Sequence, residues 1–229
     1  MNINLTTLTP DEIQQQKAEL SKRYQVFQTR DLKIDMTRGK PCPEQLDLSL
    51  EMLTIVDEDH YTAPQSGIDC RNYGGLDGLP EAKALFAQYM GVEPDEIIVG
   101  GNASLQIMYD TILRAMVVGV ADSDQPWGQL ERVKFLCPCP GYDRHFSICQ
   151  HFDIHMLPIE MQADGPDMNT VEALVAEDDS IKGMWCVPKY SNPTGVTFSD
   201  AVVDRLANMD VAAQDFRIFW DNAYAVHQL

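Results

Sequence analysis

A chain of 229 residues with 45% hydrophobic and 23% charged residues can bury a real core and lies within ordinary globular usage, which excludes disorder and collagen-like repeats. Its 35 acidic residues against 17 basic ones leave a formal charge of -18, a balance that repels nucleic-acid phosphates and anionic bilayers. Neither is expected as a partner.

Residues 1–20 are polar and acidic, with no basic start, apolar segment or small-residue cleavage site, so a cytoplasmic location is expected. The apolar run Ile107–Val120 is broken by Asp110 and Arg114, and no stretch approaches the roughly 20 apolar residues of a membrane span. Six cysteines without an export signal read as reduced thiols. Cys137-Pro138-Cys139 with His145 nearby fits no zinc spacing, so no metal is expected.

In chain order, Pro10–Gln28 has helical spacing, with Thr9 placed to cap it and Pro10 suited to the first turn. It reads as an N-terminal arm helix. Asp31–Leu50 carries Gly39, Pro41 and Pro43 and little periodicity, which predicts an extended loop with turns. A domain boundary is expected near residues 50 to 60. Beyond it the pattern alternates: a helix over Gly78–Met90, a short strand Glu96–Val99, and a long helix over Ser104–Val118. Four further apolar runs, Val133–Cys137, Ile154–Leu157, Gly183–Val187 and Phe216–Trp220, are separated by helix-like segments near 143–151, 169–176 and 199–208. Strands trading places with helices predict an α/β fold on a mainly parallel sheet. In such sheets ligands bind beyond the carboxyl ends of the strands, so the residues after each run are where chemistry is sought.

After Ile97-Ile98-Val99 comes Gly100-Gly101-Asn102-Ala103-Ser104 and then a helix, an arrangement that offers free backbone N–H groups to one phosphate. Read alone, the segment serves equally well as a plain helix cap by Asn102 or Ser104. No dinucleotide or P-loop glycine pattern occurs. After the Phe135 run, Pro140-Gly141-Tyr142 sets an aromatic ring at the same sheet edge, where it either stacks on a planar ligand or packs into the core. After Cys186-Val187, the turn Asn192-Pro193-Thr194-Gly195 aims the Asn192 amide into the strand-end cleft, and this signal is the most specific of the set. After Phe219-Trp220, Asp221-Asn222-Ala223-Tyr224 places a carboxylate and a phenol at another strand end. Alone, Asp221 reads as a solvated loop acid. Beside the Asn192 turn it reads as the partner of a protonated ring nitrogen.

The ordered set Asn72-Tyr73-Gly74, Gly78-Leu79-Pro80, Gly101-Asn102-Ala103-Ser104, Pro140-Gly141-Tyr142, Asn192-Pro193-Thr194-Gly195 and Asp221-Asn222-Ala223-Tyr224 resembles class I aminotransferases, pyridoxal-phosphate enzymes of fold type I. With Asp35-Met36-Thr37-Arg38-Gly39-Lys40-Pro41, the wording looks most like the atypical bacterial aspartate aminotransferase branch. The resemblance implies a three-layer α/β large domain incomplete at its C-terminus: residues 1–55 an arm and part of the small domain, residues 56–229 the first part of the cofactor-binding domain.

The cofactor it implies is pyridoxal 5'-phosphate. Ala103 and Ser104, beside Asn102, would hold the phosphate, and Tyr142 would stack on the ring. Asn192 and Tyr224 would bond the phenolic oxygen, and Asp221 would pair with the ring nitrogen. Tyr73 would reach across a homodimer interface to the neighbouring subunit's cofactor, while Gly39 and Asn192 would line the substrate site. Arg38 acquires no role. The implied reaction moves an amino group between an amino acid, aspartate by branch resemblance, and 2-oxoglutarate by a ping-pong aldimine mechanism, with Asp221 and Tyr224 as catalytic residues. The family's Schiff-base lysine is expected beyond Leu229, since neither Lys182 nor Lys189 stands at its position, so the 229-residue portion alone is expected to be inactive. Two other readings are an aminotransferase-like sensor domain, disfavoured by the absence of a basic module before Asp31, and a truncated, non-catalytic unit that binds the cofactor.

Overall fold

A computed structural model describes residues 8–33 and 39–227. The Asp35–Arg38 part of the sequence motif lies outside the described residues. The chain divides into two compact units, Met1–Tyr61 and Thr62–Leu229.

In the first unit, helix α1 spans Pro10–Gln28, the range its spacing predicts. Its start is a capping box: the Thr9 hydroxyl accepts from the Glu12 N–H at 3.4 Å while the Glu12 carboxylate accepts from the Thr9 N–H at 2.8 Å. Part of the stretch expected to be an extended loop is instead a short helix, α2, over Pro43–Asp47, followed by a 3-10 turn at Leu50–Thr54. Pro43 supplies the first-turn dihedral and Gln45 accepts from the Cys42 N–H at 2.9 Å, enough to close one turn of helix in a segment without periodicity.

The second unit begins with helix α3, Pro80–Met90, which ends where Gly91 takes a left-handed φ of 70°. Helix α4 then runs over Ser104–Val117. Five strands and three helices follow: β1 Lys134–Cys139, α5 Asp143–His151, β2 His155–Gln162, β3 Gly165–Pro166, α6 Met168–Glu177, β4 Ile181–Cys186, α7 Asp200–Asn208 and β5 Arg217–Trp220. They form one sheet in the order β3-β2-β1-β4-β5, parallel except for β3, which pairs antiparallel with β2 at one edge. The two-residue β3 is too short to leave a sequence pattern.

One expected strand does not form. Residues 97–99 run extended after a 3-10 turn at Pro94–Glu96, but among the described residues none of the five strands pairs with them, and the Val99 N–H donates instead to the Asp77 carbonyl at 2.8 Å. An apolar run becomes a strand only beside a neighbour that completes its ladder.

Side-chain alternation divides the core into two layers. Leu136, Met184 and Cys186 face Met168, Val171 and Val175 of α6 and Val202 and Leu206 of α7. Their neighbours in sequence, Phe135, Cys137 and Trp185, face Ile112 and Ala115 of α4 and Ile148 and Cys149 of α5. Period-two alternation along buried strands therefore yields helix, sheet and helix in three layers. Gly183 is a glycine because the Phe135 ring lies where its Cβ would stand.

At the amino-terminal ends of β4 and β5 a buried carboxylate joins the sheet to the segment before β1. Asp215 receives the Lys182 ammonium at 2.6 Å, and the Ser123 hydroxyl and the Trp127 indole N–H at 2.8 Å each. Burial pushes its carboxyl up, but the three donors outweigh that and hold it below the ordinary 3.8.

Candidate functional site

Because β1, β4 and β5 are parallel neighbours, their carboxyl ends share one edge of the sheet. Cys186 pairs with Trp220, and the Asp221 N–H donates to the Cys186 carbonyl at 2.8 Å, so the β4–β5 ladder runs one residue past the strand. Asp221 is thereby fixed by backbone at the sheet edge. Its carboxylate accepts from His145 Nε2 at 3.0 Å, with side-chain exposures of 12% for Asp221 and 2% for His145. A carboxylate can accept several hydrogen bonds, so this one retains capacity for a donor arriving from the cleft.

Helix α5 explains how His145 and Tyr142 come to the same place. Tyr142 is the residue before the helix and His145 lies in its first turn, three positions on, where side chains share a face. Their ring centroids are 5.1 Å apart at 89°, an edge-to-face contact, and Tyr142 remains partly exposed. The turn before them requires Gly141, since a Cβ there would strike the Pro138 carbonyl. Below, the His145 ring lies flat on Trp185 of β4, centroids 4.5 Å apart and planes 11° apart.

The Asn192 turn is closed by its own backbone. The Ser191 N–H donates to the Val196 carbonyl at 2.8 Å, the Phe198 N–H to the Pro188 carbonyl at 2.8 Å, and Gly195 takes a left-handed φ of 74°. Asn192 is exposed. The Lys189 ammonium donates to the Ala225 carbonyl at 3.1 Å, tying this loop to the one that carries Tyr224. Lys189 is thereby engaged, and Lys182, ion-paired with Asp215, sits at the opposite strand end.

At the start of α4, Ala103 is the capping residue and its carbonyl accepts from the Gln106 and Ile107 N–H groups at 3.0 and 3.3 Å. No side chain caps this helix, so Asn102 and Ser104 do not serve as the plain cap that the sequence also allowed, and the first N–H groups stay open to an anion. Tyr73 is fully exposed. Among the described residues no hydrogen bond or ring contact joins Tyr73, Asn102, Ala103 or Ser104 to the Tyr142, His145 and Asp221 group.

Sequence reasoning reaches Tyr142 and Asp221 separately but assigns no role to His145, the residue that links them. Its spacing from Tyr142 is the available signal; its pairing with a residue 76 positions away is not visible in the sequence. Among the described residues, no group of His, Cys, Asp and Glu side chains is arranged to hold a metal ion, and no helix is long and apolar enough to cross a membrane.

A protein of Mycolicibacterium smegmatis that carries an aminotransferase name is 48% identical over 229 residues, covering 99% of this chain and 53% of its own length. A solved aspartate transaminase from Corynebacterium glutamicum superposes with a TM-score of 0.88 at 43% identity, covering 99% of this chain and 53% of its own. The chain thus spans about half the length of these relatives. A more distant likeness, in fold alone, is to an α-aminoadipate aminotransferase from Thermus thermophilus described as complexed with N-(5'-phosphopyridoxyl)-L-leucine, with a TM-score of 0.56 at 19% identity over 74% of this chain and 39% of that one. The family model for aspartate amino-transferase matches residues 8–229, and the chain belongs to that family.

Proposed function

We propose that the protein is a pyridoxal 5'-phosphate-dependent transaminase that moves an amino group between aspartate and 2-oxoglutarate, with the strand-end cleft of this chain holding the cofactor. The observation that carries the reading is the Asp221–His145 pair, a carboxylate fixed by backbone at the edge of a buried sheet and held from below by a single buried imidazole. A cationic ring nitrogen is the partner such a carboxylate accepts.

The cofactor, when bound, supplies a protonated pyridine ring that draws electrons from the carbon losing its proton. Asp221 keeps the proton on that ring nitrogen, and His145 holds Asp221 in place. Tyr142 covers one face of the ring. The open N–H groups of α4 at Ala103 and Ser104, with the Ser104 hydroxyl and neighbouring Asn102, hold the phosphate. The Asn192 amide and the Tyr224 hydroxyl donate to the phenolic oxygen, and Gly39 with Asn192 lines the site of the substrate carboxylate. In this reading the enzyme is a cytoplasmic homodimer, Tyr73 serves the neighbouring subunit's phosphate, residues 1–55 are an arm with part of a small domain, and residues 56–229 belong to the cofactor-binding domain. Turnover is ping-pong: the first amino acid leaves as its 2-oxo acid before the second 2-oxo acid enters.

The test is an amino-transfer assay on the protein expressed from its complete reading frame with added cofactor, following oxaloacetate from aspartate and 2-oxoglutarate. Formation of glutamate and oxaloacetate in equal amounts supports the reading. Elimination or racemisation of the amino acid without amino transfer overturns it.

A further inference from the structure

Nothing in the proposed reaction requires an indole beneath His145, yet His145 rests on one. Trp185 is 2% exposed, on β4, with its face against His145 and its indole N–H pointing away to the Cys149 sulfur at 3.1 Å. Cys149 lies on α5 one helical turn after His145, so the indole touches the same helix twice, once by its face and once by its edge. The Cys149 thiol is held below its ordinary value by the neighbouring Cys137 and, to a lesser degree, by the indole N–H, against the opposing push of burial. Phe219 packs against the indole at 4.7 Å and Phe135 at 5.7 Å. The ring plane of Trp185 is therefore set by contacts from β1, α5 and β5 together.

His145, by contrast, makes one side-chain hydrogen bond among the described residues, to Asp221. A single hydrogen bond does not by itself fix the plane of an imidazole about χ2, a broad torsion, and a rotation of the ring would carry Nε2 out of line with the carboxylate. The stack removes that freedom, since an 11° plane angle at 4.5 Å is kept only while the imidazole lies flat on the indole.

We infer that Trp185 is a positioning residue: by clamping the plane of His145 it aims Asp221 at the cofactor's ring nitrogen. The inference rests on the reading of Asp221 given above. It distinguishes the planar face of Trp185 from its apolar character, because an aliphatic side chain keeps the site apolar but offers His145 no face to lie on. The N–H to Cys149 is secondary, orienting the indole that does the clamping.

The experiment compares Trp185→Phe, which keeps a ring, with Trp185→Leu, which does not, in the protein expressed from its complete reading frame. If Trp185→Leu fails to fold, Trp185→Met, unbranched and able to fill an irregular gap, takes its place. The first readout needs no cofactor: the ¹⁵N and ¹H resonances of the His145 side chain, with the hydrogen-bonded Nε2 proton. In the parent and in Trp185→Phe this proton is sharp and protected from exchange; in the ringless variant it is lost and the imidazole ¹⁵N pattern moves toward that of a free side chain. The second readout is affinity for pyridoxal 5'-phosphate, which falls roughly tenfold or more in the ringless variant, the scale on which losing an outer partner weakens a ligand site, and is largely restored by phenylalanine. A folded ringless variant with parental His145 resonances and parental affinity overturns the inference. Asp221→Asn separates this from the reading beneath it: if that variant binds the cofactor as tightly as the parent, the functional reading fails. If Asp221→Asn weakens binding and the ringless variant does not, only the clamp fails.

Discussion

Asp215 and Asp221 stand at opposite ends of β5, both shielded from solvent, and are treated by the fold in opposite ways. Asp215, before the strand, is met by an ammonium, a hydroxyl and an indole N–H, and its side chain is 8% exposed. Asp221, after the strand, is met by one imidazole and is 12% exposed. Nearly equal burial thus accompanies unequal satisfaction. A carboxylate met by three protein donors, one of them a cation, has little acceptor capacity left for a ligand and serves the fold; one that is fixed but under-supplied is suited to a donor from outside. In a parallel sheet this asymmetry follows the direction of the chain, with structural pairing at the amino ends and chemistry at the carboxyl ends.

The comparison breaks if the two carboxylates respond alike to the loss of a partner. The largest expected effect is on stability at the amino end. Lys182→Met leaves Asp215 buried without its counter-charge and should cost about 3 to 5 kcal/mol, the range for breaking a buried pair, read as a lower denaturant midpoint. The pH dependence has a definite sign. The folded carboxyl of Asp215 lies below 3.8, so its contribution to stability is fully present above that value and is lost as the pH falls through the folded value. Lys182→Met should therefore flatten the acid limb of the stability profile, and an unchanged limb would show that Asp215 does not govern it.

At the carboxyl end the effect moves from stability to binding. Asp221→Asn keeps the shape and the His145 contact but removes the charge, so unfolding should barely change. Affinity for pyridoxal 5'-phosphate should fall by about ten- to a hundredfold, since a hydrogen bond to a charged partner is worth roughly 1.5–3 kcal/mol. A variant that unfolds readily and binds normally would reverse the assignment of the two carboxylates.

How much of this is legible in the sequence depends on the distance over which each feature is decided. The Thr9 cap, the mainly parallel sheet and the strand-end positions of Tyr142, Asn192 and Asp221 follow from local pattern and chain direction, and these are read correctly. The strand expected at Glu96–Val99 is not, because pairing is a property of a neighbour and no apolar run carries its neighbour with it. The helix at Pro43–Asp47 is missed for the opposite reason, being one turn closed by a proline and a glutamine with no repeat to detect. His145 and Trp185 are the hardest case. One reads as a helix residue and the other as core, and their roles arise from contacts with residues 76 and 40 positions away in the chain.

Two smaller substitutions sharpen the comparison within each end. Ser123→Ala removes one of three donors to Asp215 and should cost about 1 kcal/mol, the net value of one hydrogen bond, well short of the Lys182 effect. A cost equal to that of Lys182→Met would mean that the hydroxyl, not the ion pair, governs the cluster.

Tyr142→Leu is the smallest and the most discriminating. Tyr142 touches His145 by its edge and is partly exposed, so leucine leaves the core and the His145–Asp221 bond in place. What it removes is an aromatic face in the cleft, worth about 0.5 to 1.5 kcal/mol in a stack, or roughly two- to tenfold in affinity for a planar ligand. Inorganic phosphate, which has no ring, supplies the control: if it binds at the start of α4 its affinity should be unmoved, because those N–H groups do not sense the substitution. A loss of affinity for both would locate Tyr142 in the architecture of the cleft, whereas a loss confined to the cofactor would locate it against the ring.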